Sequence, residues 1–387
     1  MIKRSVGFFI TVAVLTMSVF ADGGELAGCR AKGAAVAELS SGRIIASHNA
    51  DERLPVASTT KIMTALLTIE HGDLDTPFVV DSEAIKVEGT SMGLKEGDTV
   101  TLRTLAWGML LASGNDAANA AAVRIDGSTK KFAERMNERA AEIGMTNTLF
   151  TTPSGLDTDS PYSSAGDMAR LACEAMKNPV FAEMAGTKSA KLFYGNPPYD
   201  RWLTNHNRLL KTDERAVGVK TGFTKAAGRC LVSAAQKDGL TLIAVTLNCP
   251  DDFNYHSGLY DEFFDKLEYV DFTHMAQNLM ASVTGADENK LPLDAAEKLG
   301  AYLMPGEKDK VGINFLVEPF LYAPVEKGEK VGEAVLTLSG ERIAAASLVG
   351  AETRVAFYQN KSIVERVEQF FGFPELRFFR FPLPNSN

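Results

Sequence analysis

The sequence predicts an α/β protein of the α+β type, with a mostly antiparallel sheet flanked by helices and a small all-β domain after it. Segments typical of strands open and close the first two thirds of the chain, and segments typical of helices fill its middle. The sheet must therefore be assembled from both ends of this region, with the helices on its faces. Near Thr273 the pattern changes to alternating apolar and polar residues, which indicates a second, β-rich domain.

The predicted strands of the first domain lie at its two ends. Residues 34–39 and 43–46 are apolar segments on either side of Ser40-Ser41-Gly42, and this pattern predicts a hairpin. Residues 217–220 predict a further strand, and two apolar runs joined by Lys237-Asp238-Gly239 predict a second hairpin.

Helices are predicted between these strands, at residues 61–70, 102–111, 117–124 and 130–143. In the first of them Ile62, Ala65, Leu66 and Ile69 form one apolar stripe, and Gly72 follows as a stop signal. This spacing is typical of a helix that buries one face.

The β-rich pattern after Thr273 is clearest in residues 311–323 and 329–349, where apolar and polar residues alternate and glycines punctuate the segments. We therefore expect a first domain of residues 22–272 and a β-domain of residues 273–360.

Residues 361–387 form an aromatic and basic tail. Val364, Val367, Phe370 and Phe371 can share one helical face, which predicts a segment that lies in a membrane interface. The apolar stretch is too short and too charged to span a bilayer. Packing of these aromatic side chains on the β-domain stays open as the alternative.

The N-terminus predicts a secretory signal peptide over residues 1–21. Lys3 and Arg4 form its charged start, and residues 6–20 are an apolar run too short to suggest a membrane span. The mature chain is therefore expected to be exported. An uncleaved anchor, and lipid attachment at Cys29 in a short sequence that resembles a lipid-attachment box, stay open.

Charge and cysteine content exclude several classes of function. The formal net charge is −9, from 49 acidic and 40 basic residues with no basic block, so nucleic-acid binding is not expected. Cys29, Cys173, Cys230 and Cys249 show no zinc-ligand spacing, and neither a metal nor a cofactor is expected. Cys230 and Cys249 could lie near each other on neighbouring strands, either as a disulfide or as two buried free thiols.

The first candidate site is Ser58-Thr59-Thr60-Lys61, at the start of the first predicted helix. A spacing of three places the Ser58 hydroxyl and the Lys61 amine on one helical face. A serine needs an adjacent base, and a lysine can serve when burial or a second cation lowers its pKa. Taken alone, the pattern also fits a helix start with an exposed lysine.

The second candidate site is Ser113-Gly114-Asn115, in a break between two predicted helices. Asn115 offers a donor and an acceptor to a substrate amide, and Ser113 can pass a proton to a leaving nitrogen. The same residues also fit the end of one helix and the start of the next.

The third candidate site is Lys220-Thr221-Gly222, at the end of a predicted strand. A cation and a hydroxyl suit a carboxylate end group, and Gly222 allows a ligand to approach the backbone closely. The backbone N–H of Phe223 could pair with that of Ser58 as an oxyanion hole. A turn with a solvated lysine is the alternative interpretation.

The three motifs together are far more specific than any one of them. The set S-x-x-K, S-x-N and K-T-G is typical of penicillin-binding proteins and class A β-lactamases. The chain resembles the low-molecular-mass penicillin-binding proteins, the serine-type D-Ala-D-Ala carboxypeptidases, and the stretches that carry the resemblance are residues 55–64, 113–118, 152–157 and 217–224. The resemblance implies a penicillin-binding or β-lactamase-like first domain, and the segment after Thr273 resembles that family's C-terminal domain.

The resemblance also implies a role for each motif. Ser58 would form the acyl-enzyme, and Lys61 would take its proton. Ser113 would relay a proton to the departing D-alanine with the help of Lys220, while Asn115 would hold the peptide backbone.

The implied substrate is the peptidoglycan stem pentapeptide that ends in D-Ala-D-Ala, with β-lactams as covalent inhibitors. Its terminal carboxylate would be bound by Lys220 and Thr221, and Gly222 and Phe223 would complete the substrate site. Such an enzyme would act outside the cytoplasm, at the outer face of the membrane or in the cell wall.

Other enzyme classes fit the sequence less well. Residues 89–93 match the G-x-S-x-G nucleophile elbow, but turn-forming residues follow where a helix is required. None of the five histidines has a recognisable catalytic setting, so solvated or capping histidines are expected.

Two alternatives share the three motifs. A class A β-lactamase adds a glutamate that activates the deacylating water, and no E-x-x-L-N string occurs between Asn115 and Lys220. A penicillin-binding sensor that becomes acylated without turnover is the non-enzymatic alternative, which the motifs leave open.

Overall fold

The computed structural model describes residues 24–26, 28–156 and 160–357. The predicted signal peptide and the tail therefore lie outside the described residues. The α-helices are α1 (Lys61–Glu70), α2 (Leu102–Leu111), α3 (Asn115–Asp126), α4 (Thr129–Glu142), α5 (Ala165–Lys177), α6 (Pro179–Gly186), α7 (Leu209–Thr212) and α8 (Asp252–Lys266).

The strands fall into an earlier and a later group. The earlier strands are β1 (Gly24–Glu25), β2 (Gly33–Glu38), β3 (Ile44–His48), β4 (Phe78–Val79), β5 (Thr99–Val100), β6 (Ser189–Gly195), β7 (Pro198–Thr204), β8 (Ala216–Thr224), β9 (Gly228–Lys237), β10 (Leu240–Leu247) and β11 (Glu268–Asp271). The later strands are β12 (Leu279–Thr284), β13 (Lys290–Ala295), β14 (Gly300–Leu303), β15 (Val311–Val317), β16 (Leu321–Tyr322), β17 (Lys330–Leu338) and β18 (Glu341–Gly350).

A six-stranded sheet in the order β1-β3-β2-β10-β9-β8 forms the framework of the first part of the chain. Its pairs are antiparallel except β1 with β3, which is parallel. Strand β10, late in this region, pairs with β2 from Leu242 opposite Glu38 to Leu247 opposite Gly33. Strands from both ends of this region therefore build the sheet, as the sequence predicted.

Helices cover both faces of this sheet. On one face α1 to α6 enclose a large apolar core, in which the predicted stripe of α1 is fully covered. On the other face α8 contributes Tyr260 and Phe263 to a second core against β2 and β10. Among the described residues, no helix has both the length and the apolar character needed to cross a membrane.

The periodicity gives the bounds of α1 and α2 correctly and those of α4 to within a residue. Two predictions at the motifs are wrong. Asn115 is the first residue of α3, not part of a loop, because Gly114 takes the N-cap position and Asp116 supplies an acid in the first turn. Lys220 lies in the middle of β8, which continues to Thr224 because β9 pairs with it along that length.

The expectation of solvated or capping histidines is wrong for His256. His256 belongs to α8, and its ring is fully buried between the helix and the sheet, with Nδ1 2.7 Å from Ser233 Oγ and Nε2 2.9 Å from Thr246 Oγ1. Burial lowers the pKa of His256 to about 3. The imidazole is therefore neutral at pH 7 and links α8 to β9 and β10 as a structural group.

The later strands form a separate β-sandwich-like unit with its own apolar core. One sheet has the order β15-β17-β18-β13-β12-β16, and a short pair joins β11 to β14. Leu291, Leu336 and Leu348 are completely buried between these strands. An ion pair of 2.6 Å between Arg43 and Glu307 connects this unit to the first hairpin. The architecture is the α+β arrangement with an all-β second part that the sequence predicted.

Candidate active site

Ser58 lies in a short 3-10 turn, Ala57–Thr60, that leads directly into α1. It is half-buried, whereas the neighbouring Thr59 and Thr60 are buried. Strand β8 packs tightly on this turn, because a Cβ placed at Gly222 would lie 3.0 Å from Val56 O and 3.2 Å from the backbone nitrogen of Ser58. A glycine at position 222 therefore lets the third motif approach the first.

The amine of Lys61 is held against the Ser58 hydroxyl. Lys61 Nζ lies 2.9 Å from Ser58 Oγ and donates a hydrogen bond of 2.7 Å to Ser154 O. The residue is fully buried. Burial, and then the positive charge of Lys220, lower the pKa of Lys61 well below its usual value, although Asp116 opposes this effect. In its neutral form this amine is a base within reach of the Ser58 hydroxyl proton.

The second and third motifs meet beside this pair. Lys220 Nζ donates hydrogen bonds to Ser113 Oγ at 3.0 Å and to Thr221 O at 2.9 Å. Lys220 is only 1% exposed, and burial lowers its pKa to about 7. The alternative of a solvated lysine in a turn is therefore wrong. Ser113 Oγ thus accepts a hydrogen bond from the buried Lys220, and the Ser113 backbone is in the left-handed region, at φ 56°.

Asn115 presents an unused acceptor. Its Nδ2 donates to Glu88 O at 2.6 Å, and its backbone N–H donates to Thr90 O at 2.8 Å. Its Oδ1 is buried and has no hydrogen-bond partner among the described residues. Asn115 lines the cleft, so this buried oxygen without a partner is the candidate acceptor for an N–H of a bound ligand.

A cleft of about 430 Å³ opens above Ser58. The predicted residues that line it are Ser58, Ser113, Asn115, Thr221, Gly222 and Phe223. Lys61 and Lys220 lie beneath its surface and contact the hydroxyls of Ser58 and Ser113. Of the predicted site residues, Phe223 is the most exposed, at 67%.

A positively charged wall of the cleft escaped the sequence analysis. Arg229 forms a 2.6 Å ion pair with the buried Asp252, and the guanidinium groups of Arg208 and Arg229 lie 5.6 and 5.3 Å from the ring centre of Phe253. All four residues line the cleft, together with His206. No local pattern marks them, since they come from the segment before β8, from β9 and from the start of α8.

Asp116 was also missed, although it lies next to Asn115. Its carboxylate is 2% exposed and accepts hydrogen bonds from the Ser91 hydroxyl and from the backbone N–H groups of Met92, Gly93 and Leu94. It thereby holds the loop before α2. Ser91, the serine of the G-x-S-x-G match, is bound in this structural role, which agrees with its rejection as a nucleophile.

The described part of the chain contains no group of three or more histidine, cysteine, aspartate or glutamate side chains that could hold a metal ion.

Comparisons with known proteins bear on both parts of the chain. The family model described as D-alanyl-D-alanine carboxypeptidase matches residues 22–251, and that of the penicillin-binding protein 5 C-terminal domain matches residues 276–356. The chain is 33% identical over 332 residues to the D-alanyl-D-alanine carboxypeptidase DacF of Bacillus subtilis, which covers 83% of this chain and 85% of the relative. It is 32% identical over 336 residues to DacC of Escherichia coli, covering 81% and 82%.

Solved structures agree in fold. The crystal structure of penicillin-binding protein 5 from Haemophilus influenzae matches with a TM-score of 0.66 and 27% identity, over 84% of this chain and 97% of that one. The D-alanyl-D-alanine carboxypeptidase DacD from Francisella tularensis matches with a TM-score of 0.62 and 28% identity, over 85% and 94%.

The role of Asp116 can be tested by substitution. Asp116→Ala should lower the free energy of unfolding by about 3 kcal/mol, because the buried N–H of Met92 and the N–H groups of Gly93 and Leu94 lose their acceptor. Hydrogen exchange at the backbone amides of residues 92–94 should become faster. Asp75→Ala, which removes a surface ion pair with Arg103, is the control and should change stability far less. Equal effects of the two substitutions would show that Asp116 does not organise the loop.

Proposed function

The chain belongs to the D-alanyl-D-alanine carboxypeptidase family of serine peptidases, and we propose that Ser58 is its nucleophile and Lys61 its general base. As a member of this family it is a hydrolase that removes the terminal D-alanine from peptides ending in D-Ala-D-Ala. One observation supports the assignment of residues above all others: a fully buried amine with a lowered pKa lies 2.9 Å from a half-exposed serine hydroxyl.

The proposed acylation begins when Ser58 Oγ attacks the carbonyl carbon of the scissile peptide bond. Lys61 takes the hydroxyl proton, and the backbone N–H groups of Ser58 and Phe223 stabilise the negative charge that develops on the carbonyl oxygen. The proton reaches the leaving nitrogen through Ser113, whose hydroxyl is hydrogen-bonded to Lys220. The C–N bond breaks, D-alanine leaves, and water then hydrolyses the ester on Ser58.

Substrate binding is proposed to use the open surface of the cleft. The free Oδ1 of Asn115 accepts a backbone N–H of the peptide. The terminal carboxylate lies at Thr221 and Gly222, within the field of the wall formed by Arg208 and Arg229. Lys220 is buried beneath this surface, and its pKa is about 7. Its amine therefore carries part of a positive charge at neutral pH, which attracts the terminal carboxylate.

We further propose the location and division of the chain. Residues 1–21 act as a signal peptide, so that the enzyme works on peptidoglycan stem peptides outside the cytoplasm. Residues 22–272 form the catalytic domain and residues 273–360 the β-domain, a division that the two family matches at 22–251 and 276–356 support.

Removal of the base should strongly slow acylation. Lys61→Ala should slow acylation of Ser58 by a labelled penicillin roughly 10²- to 10⁴-fold, while the protein stays folded, because alanine is a better helix former than lysine. Lys191→Ala, at an exposed lysine paired with Asp200, should react normally. Near-normal labelling of Lys61→Ala, or label on a tryptic peptide without Ser58, would show that the assignment is wrong.

The fate of the acyl-enzyme distinguishes this function from its two alternatives. D-alanine should be released from a pentapeptide ending in D-Ala-D-Ala, and amidation of the terminal carboxylate should lower kcat/KM at least tenfold. A penicilloyl adduct should persist for minutes, because its leaving amine stays tethered in the path of water and no E-x-x-L-N glutamate activates that water. Stopped-flow acylation followed by mass spectrometry measures the adduct.

The contrary outcomes are specific. Rapid turnover of penicillin without release of D-alanine would identify a β-lactamase. A stable adduct without release of D-alanine from any stem peptide would identify a sensor.

The tail, which lies outside the described residues, stays a proposal as a membrane-interface anchor. Deletion of residues 361–387 should abolish binding to liposomes while the melting temperature stays within a few degrees. Unchanged liposome binding together with a large loss of melting temperature would favour packing on the β-domain instead.

A further inference from the structure

The cysteines of this chain lie in two different cores. Cys173 on α5 and Cys230 on β9 belong to the core on the helical face of the first sheet, whereas Cys29 and Cys249 belong to the core under α8. Cys230 and Cys249, which were expected on neighbouring strands, do not form a disulfide, because their buried thiols lie in cores on opposite faces of the sheet. Cys29 and Cys249, which share the core under α8, are distant in sequence.

The backbone brings Cys29 and Cys249 to the same end of the sheet. Strands β2 and β10 are antiparallel, and their last pair is Gly33 opposite Leu247. The pairing continues one step further, because Lys32 N donates to Leu247 O at 3.0 Å. The chain that enters β2 and the chain that leaves β10 therefore meet at one end of the sheet, with Cys29 three residues before Lys32 and Cys249 two residues after Leu247.

Tyr255 packs in the same core as both cysteine side chains. It also lines a crevice together with Cys249 and Arg30, the residue after Cys29. Cys29 is half-buried and Cys249 is 2% exposed. Burial raises the pKa of the Cys249 thiol, and the nearby Cys29 contributes to the electrostatics of that thiol.

We propose that Cys29 and Cys249 are a disulfide site, which closes when the chain meets a disulfide-bearing oxidant. The thiolate of the more accessible Cys29 attacks one sulfur of the donor disulfide and releases the other as a thiolate. The thiolate of Cys249 then attacks the Cys29 sulfur of this mixed disulfide and releases the second donor thiolate. The two cysteines lose two protons and two electrons, and the donor becomes two thiols.

The bond would tie the start of the chain to one wall of the catalytic cleft. Cys249 N donates to Arg229 O at 2.9 Å, and Asp252, three residues after Cys249, forms the ion pair with Arg229. The disulfide would close a loop of more than 200 residues, so it would remove much of the freedom of the unfolded chain. Neither cysteine lines the cleft itself. The bond would therefore stabilise the domain without altering the chemistry at Ser58.

The position of Leu26 is relevant to the other interpretation of Cys29, as a lipid-attachment residue. Leu26 is 4% exposed in the same core, and its N–H donates to Ser47 O at 2.9 Å. Strand β1, just before it, pairs with β3. Cleavage before Cys29, which lipid attachment requires, would remove these contacts from the fold.

The proposal goes beyond the peptidase reaction, and its test does not depend on activity. The folded full chain is treated with oxidised glutathione, alkylated, and digested without reduction. Mass spectrometry should show one crosslinked peptide that joins Cys29 to Cys249, with Cys173 and Cys230 still alkylated. The melting temperature should rise by roughly 5 °C and return after treatment with dithiothreitol. The rate of penicillin acylation should change less than twofold.

Matched variants make the outcome decisive. Cys29→Ser and Cys249→Ser should each lose the crosslink and the redox-dependent shift in melting temperature, whereas Cys173→Ser should keep both. A glutathione adduct on Cys29 with no crosslink would overturn the proposal. So would a diacylglyceryl group on Cys29 in protein recovered from an exporting host, or a crosslink between two chains.

Discussion

Two buried amines govern the organisation of the catalytic region. Lys61 and Lys220 are almost completely removed from water, and neither forms an ion pair within the described part of the chain. An unpaired buried ammonium group is costly, so burial lowers the pKa of both amines and favours their neutral forms. The fold satisfies each nitrogen with carbonyl and hydroxyl oxygens, those of Ser154, Thr221 and Ser113 among them. A neutral amine is what a serine nucleophile needs, so the burial that the fold imposes on Lys61 also makes it a base.

This burial requires three distant segments to meet at one turn. The segment that carries Ser154 packs on the Ser58 turn through Gly155, which has φ +75° and where a Cβ would lie 2.1 Å from Ala57 O. Strand β8 packs on the same turn through Gly222. The contact at Gly155 needs glycine, because any side chain would push the carbonyl of residue 154 away from Lys61. At Gly222 a Cβ would lie 3.0 to 3.2 Å from the turn, so it would force a small shift of β8 relative to Ser58. The arrangement of the base is therefore decided by backbone contacts on either side of it.

Much of this could be predicted from the sequence, and the remainder shows where local patterns end. The stripe of α1 and the hairpin of β2 and β3 follow from periodicity because their signals are contained within a dozen residues. The motif residues were found by joint spacing and by resemblance, and the structure places Ser58, Ser113 and Asn115 around one cleft. Arg229 and Ser154 were missed because each contacts a residue that is far away in sequence. Arg229 pairs with Asp252, and the carbonyl of Ser154 accepts a hydrogen bond from Lys61. The extent of β8 was underestimated because its continuation depends on pairing with β9.

The charge distribution explains how an acidic protein can bind an anionic peptide. The chain carries 49 acidic and 40 basic residues, and this balance argued against nucleic acid as a partner. The described lining of the cleft contains one acidic side chain, Asp252, which is bound to Arg229, while Arg208 adds a second cation. At physiological ionic strength charges more than about 8 Å apart are largely screened. A carboxylate inside the cleft is therefore influenced more by the charges of the lining than by the distant acidic surface, and Arg208 is the arginine of the lining that remains after Arg229 pairs with Asp252.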